Sequence, residues 1–104
     1  MNYAESGGWT YARAIQQAMV DIANRYGDDC VFIGQDMEVA GAFGMNIALK
    51  NAGHDEKLID MPLCEAIIVH TGTGAALSGM RPMVEIPFGG FAALGFNALI
   101  NNAA

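Results

Sequence analysis

Asp28-Asp29-Cys30-Val31-Phe32-Ile33-Gly34 sets four consecutive apolar residues between an acidic turn and a glycine. An unbroken apolar run, rather than an alternating one, suits a strand covered on both faces. That is the habit of parallel sheets, whose crossover helices lie on either side. Two further short runs have strand character: Leu58-Ile59-Asp60-Met61, stopped by Pro62, and Met83-Val84-Glu85-Ile86, stopped by Pro87.

Helical patterns separate these runs. Thr10 is placed to cap a helix over residues 11–26, with Tyr11, Ile15, Ala18, Met19, Ile22 and Tyr26 on one face and Gly27 as its stop. Phe43 to Ala52 reads as a short helix ended by Gly53. A third helix is expected from about Cys64 to Ser78. It is rich in Ala, Gly and Thr, and such small residues permit close helix–helix packing. A last helix is expected from Phe91 to Ala104. The order α-β-α-β-α-β-α predicts an α/β fold with three layers, a mainly parallel sheet flanked by helices, and right-handed crossovers. Residues 1–9 read as a flexible N-terminal segment and residues 10–104 as the folded unit.

Composition narrows the function classes. The 104 residues are 53% hydrophobic and 15% charged, with a formal net charge of −6. Such hydrophobicity excludes a disordered acidic tail. Five basic residues in an acidic chain make no broad phosphate-binding face, so no nucleic-acid partner is expected. The polar, glycine-bearing start has no leader pattern, and the uncharged stretch Ile86–Ala104 is too broken by Gly, Pro and Asn for a membrane span. A cytoplasmic protein without a membrane partner is the expectation. Cys30 and Cys64 form no metal-binding spacing and read as small buried hydrophobes. Charge is unevenly spread: between Glu65 and Glu85 only Arg81 is charged, and nothing is after Glu85. The second half of the chain therefore reads as protein-facing.

In open parallel sheets, ligands meet the carboxyl ends of the strands. Three segments lie there: 34–44, 61–65 and 87–91. Glu65 is the one glutamate at a helix start among them; local pattern alone reads it as a first-turn carboxylate favoured by the helix dipole, worth about 0.3–1 kcal/mol. Phe91 beside Gly89-Gly90 reads as a core or interface aromatic, and Asp36 and Glu38 as a solvated loop. His54 is expected at the surface, and His70 to be buried and hydrogen-bonded. No phosphate-binding glycine loop or nucleophile elbow occurs.

The motifs taken in order resemble 2-oxoacid dehydrogenase E1 beta subunits. Val31–Val39 followed by Gly41-Ala42-Phe43-Gly44 resembles that family's first strand and glycine loop. Leu58–Ala66 resembles its VIDTPISEA segment, Gly74–Glu85 its GAALAGLRPVVE segment, and Ile100–Ala104 its INxAA segment. The resemblance runs from about Tyr11 to Ala104 and implies a partial transketolase-like pyrimidine-binding domain. It implies thiamine diphosphate as cofactor, with the diphosphate and Mg²⁺ held by an alpha-like partner subunit. By the same resemblance Glu65 is the catalytic glutamate at N1′ of the aminopyrimidine. Sharing a proton there favours the imino tautomer that deprotonates the thiazolium. A carboxyl in an apolar interface, where desolvation disfavours its charge, suits the task. Leu63 would line the pocket and Phe91 would stack on the ring.

The chain departs from the family pattern at Gln35, where the family has glutamate, and at Ala40-Gly41, where the loop is shorter and lacks a tyrosine. His70 and Thr71 also stand where small-residue spacing is usual, and the chain ends about halfway through the family's domain. The resemblance implies an alpha-like subunit and a second beta-like chain as partners. The rival expectation is a truncated, non-catalytic domain that self-associates into a homo-oligomer through its small-residue helices.

Overall fold

The structure, a computed structural model, describes residues 9–104; the expected flexible segment falls, but for Trp9, outside the described residues. Helix α1 spans Tyr11–Tyr26, strand β1 Cys30–Gly34, helix α2 Ile47–Asn51, strand β2 Leu58–Asp60, helix α3 Glu65–Leu77 and strand β3 Arg81–Val84. The strands form one parallel sheet in the order β2-β1-β3, with Phe32 opposite Leu58 and Met83, and Ile33 opposite Ile59 and Val84. The α/β fold with a parallel sheet between helices is thus as the apolar runs imply.

The central position of β1 explains its composition: all five of its residues are buried. Cys30 and Phe32 face α1 and α2, where Met19, Ala23, Met37, Leu49 and Leu58 complete the core. Val31 and Ile33 face the other way, toward Ile68 of α3. Cys30 is a buried free thiol whose pKa burial pushes up, while Cys64 is half-buried.

Helix α1 is capped as expected: the Thr10 hydroxyl accepts from the Arg13 N–H at 3.1 Å. Its buried residues are Met19 and Ala23, whereas Tyr11 and Ala18 are exposed, so the buried stripe lies further along the helix than the aromatic spacing suggests.

β3 begins two residues before the expected Met83, at Arg81-Pro82. The Glu85 N–H donates to the Ile33 carbonyl, so by the alternation of the ladder Pro82 turns its missing donor to the open edge, where proline is tolerated. After β3 the chain forms a tight 3₁₀ segment, Gly89–Gly95, and then wide π-type turns over Ala98–Ala103, instead of one regular α-helix. Its glycines and asparagines favour such irregular winding; Asn101 and Asn102 both donate back to Asn97.

The two histidines differ from expectation. His70 is exposed because α3 buries residues 65, 68, 69 and 72, a stripe that leaves position 70 outside. His54 is half-buried, its Nε2 lying 2.9 Å from Asn24 Oδ1. Small residues in α3 serve two purposes rather than one. A Cβ on Gly72 would run into Val84 of the strand beneath, whereas one on Gly74 would meet nothing within 4 Å.

Candidate functional site

The sheet's carboxyl edge is drawn together by hydrogen bonds that extend the ladder past the strands. Met61 N–H donates to Gly34 O at 2.8 Å, and Glu85 N–H to Ile33 O at 2.9 Å. Gly34 lies between them: a Cβ there would sit 2.9 Å from Met37 Sδ and 3.1 Å from the Glu85 carbonyl.

Glu65 opens α3 immediately after the turn that leaves β2. It is only 7% exposed, and no side-chain hydrogen bond or ion pair reaches it among the described residues. Phe91 lies in the 3₁₀ segment after β3 and is 42% exposed, so of the core and interface alternatives the core one is not met: part of the residue is open. The same segment carries Gly95 against α3, where a Cβ would sit 3.2 Å from Val69 Cγ2 and 3.5 Å from the Glu65 carbonyl. Glycine there lets the segment's backbone approach α3. Leu63, in the β2–α3 turn, is 73% exposed. Leu63 and Glu65 thus follow β2 and Phe91 follows β3, with Glu65 the most buried of the three and Leu63 the most exposed.

A second carboxyl at this edge was missed by the sequence reading. Glu85 follows β3 and is half-buried; burial raises its pKa, partly offset by a hydrogen bond from Asn46. Asn46 is fully buried, its Nδ2 also donating to Met37 Sδ at 3.3 Å while its Oδ1 has no partner. A Cβ on Gly41 would collide with this amide. Glu85 interrupts an apolar strand-like run, but its partner Asn46 lies 39 residues away, beyond any local pattern. Gln35, where a glutamate was the family expectation, has its Oε1 buried and unpartnered.

The loop from Gln35 to Asn46 is fastened on several sides. Glu38 N–H donates to Asp60 Oδ1, Asn46 N–H to Ala40 O, and Gln16 of α1 to Gly44 O. It presents Phe43 to Phe88 in a T-shaped contact, and Phe88 makes a second one with Phe91.

Two cavities flank β3. One of about 610 Å³ is bounded by Tyr11, Ile15, Phe32, Phe43, Met83 and Glu85. The other, of about 500 Å³, lies between α3 and the C-terminal segment over Val84 and Ile86. Neither is lined by Leu63, Glu65 or Phe91. No group of three or more His, Cys, Asp or Glu able to hold a metal ion occurs among the described residues. No described helix is long and apolar enough to cross a membrane.

Comparison with known proteins places these features. Residues 8–104 match the family model for the transketolase pyrimidine binding domain. A pyruvate dehydrogenase E1 component subunit beta from Acholeplasma laidlawii is 32% identical over 96 residues, 91% of this chain and 29% of that protein. A 2-oxoisovalerate dehydrogenase subunit beta from Bacillus subtilis is 36% identical over 97 residues, with the same two shares. The mitochondrial 2-oxoisovalerate dehydrogenase subunit beta of Dictyostelium discoideum is 29% identical over 103 residues, 99% of this chain and 28% of that protein. The chain spans less than a third of the length of these relatives.

Proposed function

The chain belongs to the transketolase pyrimidine-binding domain family, and from that premise we propose that it supplies the pyrimidine-binding edge of a thiamine-diphosphate-dependent 2-oxoacid dehydrogenase, in the role of an E1 beta subunit. The observation that carries this reading is Glu65, only 7% exposed at the first turn of α3, which follows the carboxyl end of β2.

The residues fit an aminopyrimidine. Its protonated ring nitrogen would give the Glu65 carboxyl a hydrogen-bond donor. Phe91 offers a partly open aromatic face for stacking, and Leu63 an exposed apolar side chain at the rim. Thiamine diphosphate, when bound, supplies the carbanion chemistry itself. The chain's part is to hold and share a proton at the Glu65 carboxylate and to fix the ring's plane against Phe91. The diphosphate and Mg²⁺ are assigned to an alpha-like partner.

Such a partner, or a second beta-like chain, would also account for the apolar outer side of α3 and the C-terminal segment. Leu77, Leu94, Phe96 and Ile100 are all exposed there. The same surface supports self-association as the second reading.

Glu65→Gln keeps the side chain's shape and removes its ability to take a proton. In an assembly with an alpha-like subunit, decarboxylation of a 2-oxoacid is expected to fall by about 10²–10⁴, the usual worth of a positioned acid–base group. Turnover equal to wild type would remove Glu65 from the chemistry.

A further inference from the structure

The loop before α2 is wound in a rarely used way. Within residues 36–44, Asp36, Ala40, Gly41, Phe43 and Gly44 all have positive φ. Glycine takes this conformation freely, but an aromatic residue does not, and Phe43 sits at φ 57°, ψ 22°. Strain of this kind persists only where the surroundings hold it, and it concentrates at binding sites. Here the surroundings do hold it. Asn46 N–H donates to Ala40 O, Gly44 N–H to Gly41 O, and Gln16 Nε2 to Gly44 O from helix α1.

Burial does not explain the conformation, because the Phe43 side chain it directs is 76% exposed. What the backbone secures is a contact. The Phe43 and Phe88 rings meet at 5.4 Å and 85°, and those of Phe88 and Phe91 at 5.3 Å and 72°. In edge-to-face pairs each ring's tilt depends on its neighbour's, since the positive edge of one seeks the negative face of the other. The three rings therefore form a relay from the loop after β1 to the turn after β3. We infer that Phe43 is a positioning residue: through Phe88 it sets the orientation in which Phe91 presents its ring. The purpose of that orientation rests on the reading of Phe91 as the pyrimidine-stacking side chain.

The relay can be read without cofactor, from the ring-current shifts of the Phe91 protons in the free chain carrying labelled phenylalanine. Phe43→Leu removes the ring at an exposed position and leaves the core untouched. Phe43→Gly serves as a second ring-less variant with a backbone suited to positive φ. Both are expected to move the Phe91 signals although residue 43 makes its ring contact with Phe88, and Phe43→Tyr is expected to restore them. Phe91 signals that stay in place in both ring-less variants overturn the inference. Calorimetric titration with thiamine diphosphate and Mg²⁺, in the presence of an alpha-like subunit, separates this from the underlying reading. Phe43→Leu should weaken binding by about 3- to 10-fold, the range that one aromatic contact is worth, with Phe43→Tyr near wild type. Moved Phe91 signals in a protein whose wild type binds no cofactor would leave the relay standing and overturn the cofactor reading instead.

Discussion

The two faces of the sheet are finished differently. On the α1–α2 side, seven buried apolar residues from five segments of chain, Phe32 among them, form one cluster. On the α3 side, the buried apolar cluster is three residues, Val31, Ile33 and Ile68, with Met61, Ala75 and Met80 half-covered around it. Beyond them Leu77 is 86% exposed, and the C-terminal segment leaves Leu94, Phe96 and Ile100 open. Charge follows the same division: α1 and the α2 region carry the ionic groups, including the Lys50–Asp55 pair, while nothing after Glu85 is charged. One face is closed by the chain's own side chains, and the other has an apolar exterior of the kind that a partner covers. Glu65 belongs to the α3 side, and Phe43 borders the cavity on the α1–α2 side.

Core truncation tests this contrast most strongly. Phe32→Ala removes an aromatic ring from the closed side and is expected to cost about 3–5 kcal/mol, a large share of the ~5–15 kcal/mol that holds a small domain together. Ile68→Ala, in the smaller cluster, is expected near the low end of the ~2–5 kcal/mol range for such changes, because neighbours there can relax into the space. Urea unfolding of both variants gives the comparison. Equal losses would mean that the α3 side is as tightly built as the other.

Sequence and structure agree where a single physical demand dominates. β1 was legible because burial on both faces permits only apolar side chains, and Cys30–Ile33 meets that demand without exception. The start of α3 was legible from Pro62 and from Glu65 at a first turn. β3 was read two residues late because Pro82 looks like a terminator, and only the ladder reveals that its missing N–H faces the open edge. The C-terminal segment was read as one helix since apolar spacing does not register that glycine and asparagine loosen the winding. At the site, Glu65 and Phe91 could be named from motif order, but Glu85, Asn46 and Phe43 could not. Their roles come from contacts across 39 residues of chain between Asn46 and Glu85, which no local pattern contains.

Two glycines of α3, on nearly opposite faces of the helix, sharpen the contrast at moderate magnitude. At Gly72 an added methyl would run into Val84 Cγ2, and seating it is expected to cost about 1–3 kcal/mol, less about 1 kcal/mol regained in helix propensity. At Gly74 the space is open, so Gly74→Ala is expected to stabilise by about 0.5–1 kcal/mol. Thermal melts should thus move in opposite directions. Val84→Ala should rescue Gly72→Ala but not alter the gain at Gly74, a coupling that a double-mutant cycle reads directly. Parallel shifts would show that α3 does not rest on β3 through Gly72.

The smallest expected effect belongs to Glu85, which sits where the closed face opens into the cavity beside Phe32 and Met83. Burial raises its pKa above the usual 4.5, with the Asn46 hydrogen bond only partly opposing the rise. A raised carboxyl binds its proton more tightly folded than unfolded. Its contribution is therefore most favourable at or below the unfolded value and is lost as pH rises from there through the folded value. Glu85→Gln keeps an acceptor for Asn46 Nδ2 and has no charge to bury. The difference in melting temperature between Glu85→Gln and wild type should accordingly grow in favour of the variant from about pH 4 to pH 7 and then level off. Because the group is half open to solvent, the growth should be modest. Growth in the opposite direction would mean that the carboxylate is stabilised in place, and that the Asn46 contact outweighs burial at this corner of the sheet.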